Sequence, residues 1–133
     1  MLELKTGIKE MKLKSLLPQI KYLTPDFNRE WMEAIRYPEF VEMGKKGWIE
    51  LAQKGKVVNY SDIKGVLGNV DLDFHTLEPE KQKRVAALLS NGVLEYPMVV
   101  KFSDTDYDLI AGNTRLAGLV KMGYNPKLWV VEL

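Results

Sequence analysis

Hydrophobic and polar positions change period several times along the chain, and each change marks an element. Met11-Lys12-Leu13-Lys14 alternates with period two and runs into Leu16-Leu17-Pro18, a strand followed by a turn. Thr24-Pro25 reads as the N-cap and first-turn proline of a helix. Its apolar stripe is Phe27, Trp31, Ala34 and Ile35, at i, i+4, i+7 and i+8, and Pro38 stops it. The following "EFVEMGKKGWIELAQKG" sets Phe40, Val41, Trp48, Ile49 and Leu51 between glycines, which predicts two short helical pieces. Val57-Val58 is a brief strand, and Ser61-Asp62 caps one helical turn before Gly65 and Gly68.

Longer periodic segments resume at Glu78-Pro79-Glu80, where proline and acids mark a helix start. Val85, Leu88 and Leu89 form its buried stripe, with Lys81, Lys83 and Arg84 facing out. Ser90-Asn91-Gly92 stops it, the glycine taking the left-handed conformation. Residues 97–102 and 107–110 read as two strands joined by a turn at 103–106. A last helix spans 113–122 and closes at Gly123. Asn125-Pro126 turns the chain, and Leu128-Trp129-Val130-Val131 is a final strand. Helix, hairpin, helix and strand in this order predict an α+β fold, a small mixed sheet with helices packed on it. One domain over 1–133 is expected, with 26–74 as an internal, partly helical elaboration, because its apolar residues come in short broken groups.

Composition narrows the chemistry. At 46% hydrophobic and 28% charged, the 133 residues have the balance of a folded globular chain. No run approaches the roughly 18 consecutive apolar residues of a membrane span. The charged, alternating start has no signal-peptide core, so no membrane partner and a cytoplasmic location are expected. Zero cysteines exclude disulfides, thiolate nucleophiles and Cys-ligated metals, and one histidine leaves no His cluster. A metal would be a hard ion on carboxylates, such as Mg²⁺. The net charge of +1 is low for a dedicated DNA binder, although residues 1–21 carry five Lys against two Glu.

The densest chemistry lies in "LIAGNTRLAGLVKMG", where a strand gives way to a helix at Gly112-Asn113-Thr114-Arg115. First-turn amides of a helix lack intrahelical partners, and the helix dipole favours an anion there. Gly112 can take a positive φ and lets a ligand approach the backbone. Asn113 and Thr114 add adjustable hydrogen bonds, and Arg115 adds a planar fork suited to phosphate oxygens. The same residues also serve a purely structural corner, with Asn113 capping the helix and Arg115 pairing an acid such as Asp108.

Four ordered segments, "LKSLLP", "RVAALLSNGVLEYPMVV", "YDLIAGNTRLAGLVKMG" and "NPKLWVVEL", resemble the core of the ParB/sulfiredoxin superfamily, loosely over 11–18 and closely over 78–133. In that superfamily the glycine corner holds nucleotide phosphates: G-E-R-R-x-R on CTP in ParB proteins, G-C-H-R on ATP in sulfiredoxins, and a G-H-H-R type in free-serine kinases. The resemblance assigns Gly112 and Arg115 to the shared glycine and arginine, and so implies ATP or CTP, with Mg²⁺, as ligands. Asn113 stands where sulfiredoxin has its cysteine, which removes sulfinic-acid reduction. Thr114 and Ala117 replace two ParB arginines, which weighs against a chromosome-partitioning clamp.

Phosphoryl transfer also needs a carboxylate, for the metal or the accepting hydroxyl. Glu95 precedes Pro97 on the segment that in such folds lies beside the phosphate corner, and Asp108 leaves the hairpin towards it. Asp71 and Asp73 share one face if extended, with His75 and Glu78 close by. This makes Asp71 and Asp73 candidates for Mg²⁺ and His75 a candidate base. The leading expectation is thus a nucleotide-triphosphate-binding ATPase or kinase-like enzyme, acting on a nucleic-acid or sugar hydroxyl. Two alternatives stand beside it: a DNA-associated accessory protein, nuclease-like or without activity, and a partner-binding module with a degenerate nucleotide site. Trp31 and Trp48 are core anchors, or else a substrate surface.

Overall fold

The computed structural model describes residues 17–73 and 78–133. The strand expected at Met11–Lys14 and the candidate base His75 lie outside the described residues. In chain order the elements are β1 (Lys21–Leu23), α1 (Phe27–Ala34), α2 (Pro38–Gln53), β2 (Lys56–Asn59), α3 (Tyr60–Ile63) and β3 (Leu67–Gly68). Then come α4 (Pro79–Asn91), β4 (Val93–Glu95), β5 (Met98–Ser103), β6 (Asp106–Ala111), α5 (Asn113–Lys121) and β7 (Lys127–Glu132). The fold is α+β with mixed strand directions.

Five strands form the main sheet in the order β2-β7-β5-β6-β3. The central strand β5 runs antiparallel to β6 and parallel to β7, and β2 closes one edge antiparallel to β7. Alternation along these strands sorts the core into two layers, since neighbouring side chains point to opposite faces. Met98, Val100, Ile110 and Val131 face one way and meet Ala34, Phe40, Trp48 and Ala52 of α1 and α2. Val99, Leu109, Leu128 and Val130 face the other way and meet Leu116 of α5 and Ile63 of α3. The described part of 26–74 therefore does more than decorate: it packs on one face of the sheet and supplies both edge strands.

Trp48 is fully buried, with its indole N–H donating to the Phe27 carbonyl at 3.0 Å, so it is a core anchor rather than a substrate surface. The first helix starts two residues later than Thr24-Pro25 suggests. Asp26 is the N-cap, its carboxylate accepting the Arg29 amide at 3.2 Å, a bond Thr24 stands too far back to make. Pro38 does not end that helix but opens α2, and α2 bends into two pieces at Gly44.

A second, two-stranded parallel sheet pairs β1 with β4, Leu23 opposite Glu95. Gly92 ends α4 with φ 70°, which turns the chain directly into β4. This small sheet brings Glu95, the start of α1 and the end of β6 to a common place.

Candidate functional site

A cleft of about 1280 Å³ opens at that meeting point. Its walls are α1 (Arg29, Glu30, Glu33, Arg36), the exposed side of α4 (Lys81, Arg84), Glu95 of β4, residues 69–71 after β3, and the corner Gly112–Arg115.

The corner has the backbone expected of it. Gly112 is the N-cap of α5 at φ 92°, and no side chain caps the helix. Two constraints act on Gly112 together. A positive φ strains any residue with a Cβ, and an added Cβ would stand 2.9 Å from Pro97 Cα and 2.6 Å from Arg115 Nη2. The missing side chain is thus the space into which the Arg115 guanidinium folds.

Arg115 is four-fifths buried, with 19% of its side chain exposed. Its nearest counter-charge is Glu95, Nη1 to Oε2 at 3.7 Å, which is an ion-pair distance but too long for a hydrogen bond. Its Nε is sealed from solvent and finds no acceptor among the described residues. Burial lowers the guanidinium pKa from its ordinary value. Glu95 and then Glu30 oppose that shift, while Arg29 adds to it. An arginine remains cationic throughout. The corner therefore contains a buried positive charge whose hydrogen-bonding capacity is largely unspent, the kind of group for which charged partners matter most.

Glu95 is the acid beside the corner. The same Oε2 that faces Arg115 accepts a hydrogen bond from Arg29 Nη2. Arg29 Nε in turn donates to Glu30 Oε1 at 2.9 Å, and Glu30 is 7% exposed, the one charged residue in the described core. The sequence reading did not reach Arg29 or Glu30. A signal existed: Glu30 stands at i+3 of Phe27, inside the apolar stripe Phe27, Trp31, Ala34, where a carboxylate needs a partner.

Other expected residues fall elsewhere. Asp108 is not in the cleft. Its Oδ2 accepts from Tyr37 Oη at 3.4 Å, and its Oδ1 lies against Gly68, so edge-strand pairing turns it from the corner. It is not the partner of Arg115 either. Asn113 does not cap the helix: its Oδ1 accepts the Asp71 amide at 2.8 Å and its Nδ2 donates to the Asp71 carbonyl at 2.9 Å. This clasp binds the segment after β3 to the start of α5. Thr114 lines the cleft, and its hydroxyl makes no hydrogen bond among the described residues. Asp71 and Asp73 are tied together through the Asp73 backbone. Asp71 Oδ1 accepts the Asp73 amide at 3.0 Å, an Asx turn, and only Asp71 lines the cleft. Among the described residues no group of three metal-ligating side chains occurs. Glu78, grouped with them in sequence, is the N-cap of α4. Nor is any helix among the described residues long and apolar enough to cross a membrane.

Comparison with family models, with characterised proteins and with solved structures finds no match to this chain.

Proposed function

We propose that the chain binds a nucleoside triphosphate, ATP or CTP, by its phosphates at Gly112–Arg115 and transfers a phosphoryl group to a hydroxyl of a nucleic acid or sugar. The observation that carries this reading is the buried, incompletely satisfied Arg115 guanidinium lying against Gly112 at an uncapped helix start inside the cleft. The resemblance of the segments around the corner to the ParB/sulfiredoxin superfamily points the same way. Phosphate oxygens would be held by the first-turn amides of α5, the Thr114 hydroxyl and Arg115. Asn113 contributes its backbone amide, because its side chain is committed to Asp71.

In the reaction proposed, the acceptor oxygen bonds to the terminal phosphorus and the bond to the leaving diphosphate breaks. The hydroxyl proton passes to a carboxylate, for which Glu95 is the candidate in the cleft. Mg²⁺ is commonly held by one or two carboxylates plus the substrate phosphates, so it needs no three-ligand cluster such as is absent among the described residues. Asp71 at the rim is the candidate ligand, and a bound Mg²⁺ would neutralise charge developing on the phosphate oxygens.

A nucleic-acid acceptor is favoured over a free sugar by Lys81 and Arg84. Both are exposed at the cleft, three residues apart on one face of α4, and neither forms an ion pair among the described residues. The same pair favours the second reading, a DNA-associated protein without catalysis.

Calorimetric titration with ATP, ADP, CTP and GTP, with and without Mg²⁺, tests the proposal. Micromolar binding of a triphosphate, weakened about tenfold or more in Arg115→Ala, is expected. Unchanged affinity in that variant, or no nucleotide binding at all, would end it. Binding of duplex DNA at low salt without nucleotide binding would favour the second reading.

A further inference from the structure

The cleft contains a second arginine whose placement needs an account of its own. Arg29 and Arg115 come from different helices, yet both approach one oxygen, Glu95 Oε2. Each also has a support other than Glu95. Arg29 is held from behind by the buried Glu30, and Arg115 is held by the space that Gly112 leaves. The pair is therefore held partly from outside, and Glu95 is the counter-ion between them. It is an inadequate one: it hydrogen-bonds Arg29 but stays 3.7 Å from Arg115, whose guanidinium has no hydrogen bond among the described residues.

Resting on the phosphate-binding reading above, we propose that Arg29 and Arg115 form a two-guanidinium clamp for one phosphoryl group of the nucleotide, and that the Glu95 carboxylate is the internal anion this group displaces. A planar carboxylate offers two oxygens with one charge. A terminal phosphoryl group offers three oxygens and more charge, so it can serve both forks at once. Entry of the phosphoryl group frees Glu95 beside it, which couples ligand binding to release of the candidate base. Glu30 is a positioning residue in this scheme: it touches Arg29 and not the ligand.

Glu95→Gln separates the clamp from other roles for this acid, because it keeps the shape and removes the charge. ATP affinity by calorimetry is expected to rise about tenfold in Glu95→Gln, while phosphoryl transfer to an acceptor falls. Affinity is expected to fall about tenfold in Arg29→Ala. Arg29→Lys, which retains charge and loses the fork, lies between, and it serves should Arg29→Ala melt below the assay temperature. If Glu95→Gln binds ATP no better than wild type while Arg115→Ala still abolishes binding, the clamp is wrong and the phosphate site stands. If wild type binds weakly and Glu95→Gln binds about tenfold tighter, the clamp is supported, since its internal anion is what competes with the ligand. If neither binds ATP or inorganic pyrophosphate, both proposals fall.

Discussion

The two faces of the main sheet are packed by different means. On the α1/α2 face the fit comes from interlocked aromatic rings. Phe40 and Trp48 meet edge-on with centroids 4.7 Å apart, Tyr37 sits 5.9 Å from Phe40, and Phe27 lies 5.9 Å from Trp129. On the α5 face the buried residues are aliphatic, Leu116 of α5 among them, and Ala117, Gly118 and Leu119 of the same helix are buried as well. Each face fixes one wall of the cleft. The aromatic face anchors α1, through Trp48 Nε1 on the Phe27 carbonyl, and so sets where Arg29 and Glu30 stand. The aliphatic face sets where the backbone of Gly112–Arg115 stands. One wall thus depends on side-chain volume and the other on backbone geometry, and the two should fail in different ways.

Truncating the largest buried ring is the severest test of the first wall. Trp48→Ala is expected to cost about 3–5 kcal/mol, from lost burial and the cavity left behind, and orphans the Phe27 carbonyl as well. Urea denaturation followed by circular dichroism measures it. A loss under about 1 kcal/mol, the size usual for a surface change, would mean that the aromatic face does not bear the fold's stability.

Gly112→Ala tests the second wall, with the order of effects reversed. A Cβ at φ 92° costs about 1–3 kcal/mol in strain, and it also meets Pro97 and the Arg115 guanidinium. The variant should therefore stay folded at room temperature yet lose nucleotide binding. Calorimetry beside a thermal melt checks both. Wild-type affinity in this variant would break the contrast between the walls.

The same contrast explains which parts of the molecule were legible from residues alone. The Gly112–Arg115 corner, the stop at Gly92 and the bend at Gly44 rest on conformations of single residues, which residue type signals directly. The β5–β6 hairpin and β7 carry enough alternation to be read. Strands β1, β3 and β4 do not: with two or three residues each, they have no period, and they exist because a distant segment pairs with them. Asp108 and Asp71 were named from proximity in sequence, whereas the direction of each side chain is set by its partners, Tyr37 for one and the Asp73 amide for the other. The wall formed by Arg29 and Glu30 depends on contact with Glu95, 66 positions away from Arg29. Only the acid inside an apolar stripe hinted at it.

Asn113 offers the finest division between structure and binding at the corner. Its amide makes two hydrogen bonds to the backbone of Asp71, one as acceptor and one as donor. Both are exposed, so water takes over when they are removed, and Asn113→Ala is expected to cost only about 1 kcal/mol. Hydrogen exchange at the Asp71 amide should quicken by the corresponding factor. If the side chain serves the clasp alone, nucleotide affinity stays within about twofold, because the ligand would use the Asn113 backbone amide, which alanine keeps. Asn113→Asp sharpens the point. It preserves the acceptor for the Asp71 amide and complements the helix dipole, so stability is largely retained. Yet it sets a negative charge where the phosphates are proposed to lie, and affinity should fall even though the clasp is half kept. Equal nucleotide affinity in the alanine and aspartate variants would place the ligand away from the start of α5.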